Sequence, residues 1–265
     1  MRGRNANPRK IDHICIAVRD LEKARKIYEE DLGRCAVSEG SSAATLKEEK
    51  MAEQQEWDKE RAEQHARWAK MASRLIYAPF ARRIVRGIAS LEGGSTIVDL
   101  GTGPGILSIE LHKLLPQAKI IGIDLSSDML ETARRNADET GMSNYETRLG
   151  RAEEIPVESN SVNLVVTQSS FHEWEDPRKG LSEIFRVLKP SGNLILKDYN
   201  RGWLSGWRCS LLKFLLTMVG ESYEDHVGMF KFTFDEVADL LREADFDEIK
   251  GEGRGLQFFV RALKR

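Results

Sequence analysis

The chain has 265 residues, 41% of them hydrophobic and 31% charged, and its formal net charge is −2. That length allows one large domain, or a domain with an appendage, whose core needs no disulfides. The near-neutral charge excludes a general attraction to nucleic acid or an anionic membrane. Three scattered cysteines, Cys15, Cys35 and Cys209, argue against a disulfide scaffold or a zinc site and favour a reducing cytoplasm. We expect no signal peptide and no membrane span, because charges interrupt the most apolar stretch, residues 203–219.

Residues 11–33, IDHICIAVRDLEKARKIYEEDLG, predict one strand followed by one helix. They resemble the opening unit of the vicinal-oxygen-chelate family, particularly methylmalonyl-CoA epimerase, and the resemblance would make His13 a metal ligand. No further ligands follow in this segment, and one histidine cannot close a metal site, so we predict none. One strand and one helix cannot stand alone. Residues 1–44 are therefore interpreted as an N-terminal appendage that docks, pairs with a second subunit in a homodimer, or stays partly disordered.

Residues 45–95 are rich in Glu, Lys, Arg, Gln and Ala, which favours helices. The apolar residues between positions 57 and 75 do not repeat as a heptad, so a coiled coil is not expected. Pro79 interrupts the pattern, which predicts that one helix ends there and another follows before the first strand. We interpret this part of the chain as a helical cap.

Residues 96–111, TIVDLGTGPGILSIEL, predict a buried strand, a tight turn and a helix. The turn carries glycines at every second position, Gly101, Gly103 and Gly105, where a Cβ would hinder chain reversal and ligand contact with the backbone. Asp99 lies at the carboxyl end of the strand, where α/β sheets bind ligands.

This D-x-G-x-G-x-G order resembles the first motif of class I S-adenosylmethionine-dependent methyltransferases, whereas a nicotinamide dinucleotide loop would read G-x-G-x-x-G. The resemblance implies S-adenosylmethionine as cofactor and S-adenosylhomocysteine as product. It also implies an α/β fold over residues 96–265: a Rossmann-like sheet of seven strands in the order 3-2-1-4-5-7-6, with strand 7 antiparallel and helices on both faces.

A second apolar run, residues 118–123, ends at Asp124, about 20 residues after the glycines, the spacing at which a carboxylate meets ribose hydroxyls. A helix cap is the alternative role for Asp124, although Ser126 or Ser127 is better placed for it. The same resemblance would set Met129 against adenine; a core position for Met129 is equally compatible with the pattern.

Residues 144–149 predict the third strand, and GRAEEIP follows it. The quinone-methylating branch of the family usually has G-D-A-x-x-L-P here, with the Asp on the adenine amino group. Because Arg151 replaces that Asp, the resemblance leaves the backbone of Arg151 and Ala152, together with Glu153, as the adenine contacts.

Residues 161–168 predict the fourth strand, 177–190 a helix and 192–200 the fifth strand. The phrase HEWEDP…L.EI.RVLKP.G resembles this superfamily as an ensemble. Asp176 and Pro177 form a helix start, and Gly192 is expected to mark the stop. The cofactor-binding residues that the resemblance implies are Asp99, Gly101, Thr102, Gly103, Gly105, Asp124, Leu125, Met129, Arg151, Ala152, Glu153, Gln168 and Ser169.

The acceptor side is defined less sharply. His172 follows the fourth strand and titrates near neutrality, so it could be a catalytic base or donor, or could only brace its loop. An insertion at residues 201–230 carries Trp and Met at helical spacing, which favours a lid; a dimer surface or an interfacial membrane helix are the alternatives. The acceptor-binding candidates are Trp68, Met71, Tyr77, Phe171, Trp203 and Trp207. Packing against the sheet is an equally compatible role for Trp68, Met71 and Tyr77.

The capping box at Thr233 opens a last helix, and residues 255–263 predict the final strand. The sequence therefore indicates methyl transfer from S-adenosylmethionine to a small, partly hydrophobic acceptor in the cytoplasm. A protein or RNA methyltransferase and a non-catalytic S-adenosylmethionine-binding protein stay open as alternatives. The N/D-P-P-Y motif of enzymes that methylate base amino groups does not follow the fourth strand, so no nucleic-acid partner is expected.

Overall fold

A computed structural model describes residues 66–67, 69–71, 73–88, 91, 94–218 and 223–265. The predicted strand and helix of residues 11–33, with His13 and Trp68, lie outside the described residues. The division into an appendage at 1–44, a cap at 45–95 and a domain at 96–265 stays a prediction.

Seven strands form one sheet in the order β3-β2-β1-β4-β5-β7-β6. The strands are β1 Thr96–Leu100, β2 Lys119–Asp124, β3 Tyr145–Leu149, β4 Val162–Gln168, β5 Leu188–Tyr199, β6 Asp247–Glu252 and β7 Gln257–Leu263. The strands from β1 to β5 pair in parallel, and β7 pairs antiparallel with both β5 and β6. The predicted order and the antiparallel seventh strand are confirmed.

Helices cover both faces of this sheet. The described α-helices are α1 Ala78–Gly87, α2 Ile106–Leu114, α3 Ser127–Glu139, α4 Pro177–Val187, α5 Trp207–Met218, α6 Tyr223–Val227 and α7 Phe234–Glu243. A π-helical turn, Ser73–Tyr77, precedes α1, and short 3-10 turns cover Phe171–Glu173 and Arg201–Trp203. Pro79 lies in the first turn of α1, where its missing N–H costs no helix bond, so the predicted interruption is a helix start.

Successive residues of each central strand pack into two separate cores. Val98 and Val165 belong to the core under α4 and α7, whereas Ile97 and Leu164 belong to the core under α1 and α2. Burial on both faces is what a parallel sheet requires, and it explains the nearly continuous apolar runs in the sequence. The two cores hold the carboxyl ends of β1, β2, β4 and β5 at a common edge.

Helix starts follow the sequence signals, but one helix stop does not. Asp176 accepts hydrogen bonds from the backbone N–H groups of Arg178 and Lys179, and Thr233 forms the expected capping box. The helix predicted to run to Pro190 ends at Val187, and β5 begins directly at Leu188. The prediction was wrong because the left-handed turn falls within β5, at Ser191, whose φ is 64°, and not at a helix end.

Among the described residues, no helix is both long enough and apolar enough to cross a bilayer. Nor do the described His, Cys, Asp and Glu side chains form a group that could hold a metal ion. The cytoplasmic location and the homodimer stay predictions.

Candidate active site

The glycine turn after β1 has three left-handed residues with different surroundings. The φ angles of Gly101, Gly103 and Gly105 are +70°, +51° and +76°. A Cβ on Gly101 would lie 2.2 Å from the Ser170 hydroxyl oxygen, and one on Gly105 would lie 3.1 Å from the Cβ of Ala133. A Cβ on Gly103 would meet nothing within 4 Å. Gly101 and Gly105 are therefore required for packing, while Gly103 borders open space that a ligand can fill.

A buried hydrogen-bond network connects this turn to the end of β1 and the first turn of α2. The Asp99 carboxylate is 2% exposed and accepts hydrogen bonds from Thr102 Oγ1 at 2.9 Å and Ser108 Oγ at 2.6 Å. The Tyr145 hydroxyl lies 3.3 Å from Thr102 Oγ1. Burial raises the pKa of Asp99 to about 6, although the hydrogen bonds from Ser108 and Thr102 act in the opposite direction. Asp99 therefore shapes the turn and titrates close to neutral pH.

Asp124 connects the end of β2 to the same turn. Its Oδ2 accepts a hydrogen bond from the Gly103 N–H at 2.8 Å, and its Oδ1 accepts one from the Ser126 N–H at 3.0 Å. Burial raises the pKa of Asp124 against these hydrogen bonds. The structure thus brings together the glycine turn and the carboxylate predicted to meet ribose, which are 21 positions apart in the chain.

The other residues expected at the cofactor differ in how accessible they are. Leu125 is 63% exposed beside Asp124, whereas Met129 is 3% exposed and lies in the first turns of α3. Ser126 caps α3 by accepting a hydrogen bond from the Met129 N–H. The helix-cap role therefore belongs to Ser126, which leaves Asp124 free of it.

The segment after β3 is fixed by ion pairs. Arg151 Nε lies 3.2 Å from Glu153 Oε2, and a second nitrogen of Arg151 lies 2.5 Å from Glu175 Oε2. Glu153 Oε1 accepts a hydrogen bond from the Asp176 N–H at 3.1 Å. Because both Glu153 oxygens are engaged, that side chain ties the segment to the start of α4, beside the buried Ala152.

The end of β4 carries polar groups next to the glycine turn. Gln168 Oε1 is buried and has no hydrogen-bond donor among the described residues. Ser169 has a φ of 54°, and its N–H donates to the Lys197 carbonyl at 2.9 Å. A buried acceptor without a donor is costly unless a ligand or water supplies one. Together with the open space at Gly103, this edge fits a ligand that carries N–H groups.

A buried histidine and aspartate lie at the ends of β4 and β5. His172 Nδ1 lies 2.8 Å from Asp198 Oδ1, and the His172 backbone N–H donates to Asp198 Oδ2 at 3.1 Å. Burial opposes the charged imidazole, but the hydrogen bond with Asp198 and its negative charge outweigh burial and raise the pKa of His172. Asp198 was not among the residues that the sequence indicated.

Aromatic residues continue from this pair into the insertion. The rings of His172 and Tyr199 are 5.7 Å apart and nearly perpendicular, and Tyr199 lies 5.4 Å from Phe230. Trp203 stacks on Phe230 at 6.4 Å. Tyr77, ahead of α1, has its pKa raised first by burial and then by the nearby Tyr199 and Asp99. Tyr77 thus lies near the ends of β1 and β5, and Trp203 contacts the last residue of the insertion; their role at an acceptor stays a prediction.

Three other acceptor-binding candidates are placed differently. Phe171 is fully buried and packs against Trp174 at 4.8 Å and Phe232 at 4.9 Å. Met71 and Trp207 are 75% and 54% exposed. The Phe171 ring is therefore closed off from a ligand, whereas Met71 and Trp207 stay acceptor-binding predictions.

The sheet order, the antiparallel seventh strand and the glycine turn at the carboxyl edge define a methyltransferase of the S-adenosylmethionine-dependent class. The chain belongs to the family described as "Methyltransferase domain", whose model matches residues 91–240. That match begins after residues 11–33, so it does not support the vicinal-oxygen-chelate resemblance.

Relatives and solved structures agree with this class. Demethylmenaquinone methyltransferase from Oceanobacillus iheyensis is 27% identical over 174 residues, which cover 61% of this chain and 73% of that protein. Arsenite methyltransferase from Halobacterium salinarum is 29% identical over 114 residues, which cover 43% of this chain and 29% of that protein. A candidate S-adenosyl-L-methionine-dependent methyltransferase from Methanococcus maripaludis superposes with a TM-score of 0.63 at 25% identity, covering 78% of this chain and 94% of that structure.

Proposed function

We propose that this S-adenosylmethionine-dependent methyltransferase acts on a small, partly hydrophobic molecule at the carboxyl edge of β4 and β5. The observation that carries the proposal is the open space at Gly103, next to the Asp124 carboxylate and at the same edge of the sheet as the pair formed by His172 and Asp198. Bound S-adenosylmethionine supplies an electrophilic methyl group on a sulfonium.

Charges and hydrogen-bond groups of the glycine turn suit the two ends of that cofactor. Asp99 and Gln168 Oε1 offer negative charge and a carbonyl where the amino-acid end, with its ammonium group, would bind. The Asp124 carboxylate can accept hydrogen bonds from both hydroxyls of a ribose, because an ionised carboxylate is an acceptor only. Leu125, beside it, is exposed and can cover an adenine ring.

We infer that the acceptor lies between Tyr77 and the insertion at residues 201–230. Tyr77, Tyr199 and Trp203 provide aromatic surface there, and such side chains favour flat or apolar partners and exclude water. Displacement at a sulfonium needs alignment and water exclusion more than covalent help from the protein. This supports a small acceptor and a closed site.

The relatives' names support a small-molecule acceptor, because demethylmenaquinone and arsenite are a quinone and a small oxyacid. Between these two classes we favour a ring-bearing organic acceptor, because Tyr199 and Trp203 offer aromatic surface next to His172 and Phe230.

Titration calorimetry of the full chain with S-adenosylmethionine, S-adenosylhomocysteine and NAD tests the cofactor half of the proposal. Binding of the first two without NAD is the expected result. A screen with S-adenosylmethionine labelled in the methyl group, covering small ring compounds, a basic protein and RNA, tests the acceptor half. Label found only in protein or RNA would contradict a small-molecule acceptor.

A further inference from the structure

The His172–Asp198 pair is buried and is held by several hydrogen bonds. Asp198 is 1% exposed and His172 is 7% exposed. Besides its two contacts with His172, Asp198 Oδ1 accepts a hydrogen bond from the Tyr199 N–H at 2.6 Å. Three donors therefore fix the carboxylate, and the carboxylate fixes the imidazole in turn.

This contact determines which imidazole nitrogen is available for chemistry. An ionised carboxylate only accepts hydrogen bonds, so a neutral His172 must carry its proton on Nδ1, which leaves a lone pair on Nε2. Nε2 forms no hydrogen bond with any described residue; Glu173 Oε1 is 3.9 Å away. The remaining nitrogen is therefore in the correct state to accept a proton.

We propose that Asp198 is a positioning residue that holds His172 as the general base for an acceptor bearing a hydroxyl on an aromatic ring. The proposal rests on the proposed function, because it assigns the acceptor class of that same site. The ring requirement comes from the aromatic series, in which partly exposed Tyr199 and Trp203 flank Phe230 beyond His172.

The proton and electron balance is simple. Nε2 takes the hydroxyl proton, the electron pair left on the acceptor forms a bond to the methyl carbon, and the carbon–sulfur bond breaks with its pair moving to sulfur. The sulfonium becomes a neutral thioether, and His172 becomes an imidazolium that Asp198 stabilises. Release of that proton to solvent restores the base, so no further reactant is needed.

Charged groups on three segments set the pH range in which His172 can act. Burial lowers the pKa of His172, as does Lys231, ahead of α7. Asp198 on β5 and Glu173, the next residue in the chain, raise it, and the net change is upward. The base must be neutral, so transfer should increase as pH rises through a value above the ordinary 6.5 or so of histidine. Removing the Asp198 charge leaves burial dominant and moves that increase to lower pH.

A purely structural role is the alternative, in which Asp198 only ties the 3-10 turn Phe171–Glu173 to β5. Both roles predict some loss of stability when Asp198 is replaced. Only the base role predicts a changed pH profile and a requirement for an acidic proton on the acceptor. Asp198→Asn is the informative variant, because an amide retains the size and can still accept a hydrogen bond.

The first measurement needs no acceptor. Nitrogen-15 NMR of the histidine rings in the full chain, assigned with His172→Gln, reports the protonated nitrogen and the pKa of His172. We expect Nδ1–H in the neutral form and a pKa above that of free histidine, falling below it in Asp198→Asn. Asp239→Asn, which changes an exposed carboxylate paired with Arg242 on α7, is the matched control and should leave both unchanged. An Nε2–H tautomer, or the same pKa in Asp198→Asn, would overturn the proposal.

The second measurement uses labelled methyl transfer to defined probes: catechol and 1,4-naphthohydroquinone, their dimethyl ethers, and thioanisole. Label should enter a hydroxyl probe and not the ethers or thioanisole. His172→Gln should lower kcat by about 100-fold or more, with a smaller change in KM. In Asp198→Asn, kcat should fall and its rise should shift to lower pH.

Transfer to thioanisole, or to neither hydroxyl probe, by a protein that binds S-adenosylhomocysteine would overturn the acceptor class and leave the methyltransferase proposal standing. Failure to bind S-adenosylhomocysteine would instead contradict the proposed function itself. The two failures are therefore distinguishable.

Discussion

The proposed cofactor edge, at the ends of β1 and β2, and the proposed acceptor edge, at the ends of β4 and β5, belong to one sheet but are built differently. The cofactor edge consists of a glycine turn and an aspartate whose oxygens bond to nearby backbone N–H groups. The acceptor edge consists of side chains from β4, β5 and the insertion that meet only in the folded chain. Ligand binding to backbone groups is sensitive to side-chain size at a few positions, such as Gly103. A site made of side chains depends instead on pairs of residues that contact each other, such as His172 and Asp198. The two edges should therefore respond differently to mutation.

The largest effect is expected at Gly103. Gly103→Asn places a side chain in the ligand space, and Asn tolerates the left-handed backbone better than other residues. We expect S-adenosylhomocysteine affinity to fall by about 100-fold or more, or roughly 3 kcal/mol, in calorimetry. Gly141→Asn is the matched control, because Gly141 has a φ of +69° and also has nothing near its missing Cβ. Equal losses in both variants would point to backbone strain and contradict a ligand at Gly103.

The second largest loss of cofactor affinity is expected at Asp124. Asp124→Ala leaves two ribose hydroxyls without their acceptor, at a cost of about 1–3 kcal/mol in cofactor affinity. Asp128→Ala changes a neighbouring carboxylate in the first turn of α3 and should leave the affinity within about twofold. Unchanged binding in Asp124→Ala would show that the ribose lies elsewhere.

Protonation of Asp99 should have a smaller effect on cofactor affinity. A cationic cofactor favours the ionised carboxyl, whose pKa of about 6 in the free protein lies above its ordinary value. S-adenosylmethionine affinity should therefore rise as pH increases, by up to about tenfold between pH 5 and pH 7. Calorimetry between pH 5 and pH 7 measures this change in affinity. In Asp99→Asn the increase in affinity with pH should be smaller, and only ionisation of Asp124 should contribute to it. A flat profile for the unmodified chain would contradict an ionisable Asp99 near the cofactor.

Among these four substitutions, the smallest effect is expected at Trp203. Trp203→Ala removes the ring stacked on Phe230 and should raise the KM for a ring-bearing acceptor by roughly two- to tenfold, without changing cofactor affinity. Trp207→Ala, on the same insertion but 54% exposed, should have little effect. A larger effect at Trp207 would indicate that the exposed face of α5 binds the acceptor.

The cofactor edge could be predicted from the sequence better than the acceptor edge, because its signals are local. The glycine spacing and the aspartate after β2 are local signals, and the family resemblance that they carry implied the sheet order, which reverses between β1 and β4 beside the glycine turn. β6, DEIKGE, had no comparable signal, because this edge strand is mostly exposed and its sequence does not alternate clearly. Asp198 lies inside an apolar strand, LILKDY, and its contact with His172 spans 26 positions. No spacing rule connects such a pair; only the parallel register of β4 and β5 brings the two strand ends together.

Phe171 shows the limit of inference from position alone. It precedes His172 in the chain and was an acceptor-binding candidate, yet its ring is fully buried against Trp174 and Phe232. Adjacent residues in a 3-10 turn point in different directions, so one reaches the edge while the other packs in the core. A signal was present in the apolar character of Phe171 beside the polar His172.

A crystal structure of the full chain with bound S-adenosylhomocysteine tests the central claim most directly. The account predicts the ribose hydroxyls within hydrogen-bond distance of Asp124, the amino-acid end over the turn from Asp99 to Gly103, and the thioether sulfur facing the side of His172. Binding of the adenosine away from Asp124, or of the sulfur on the side away from His172, would contradict it.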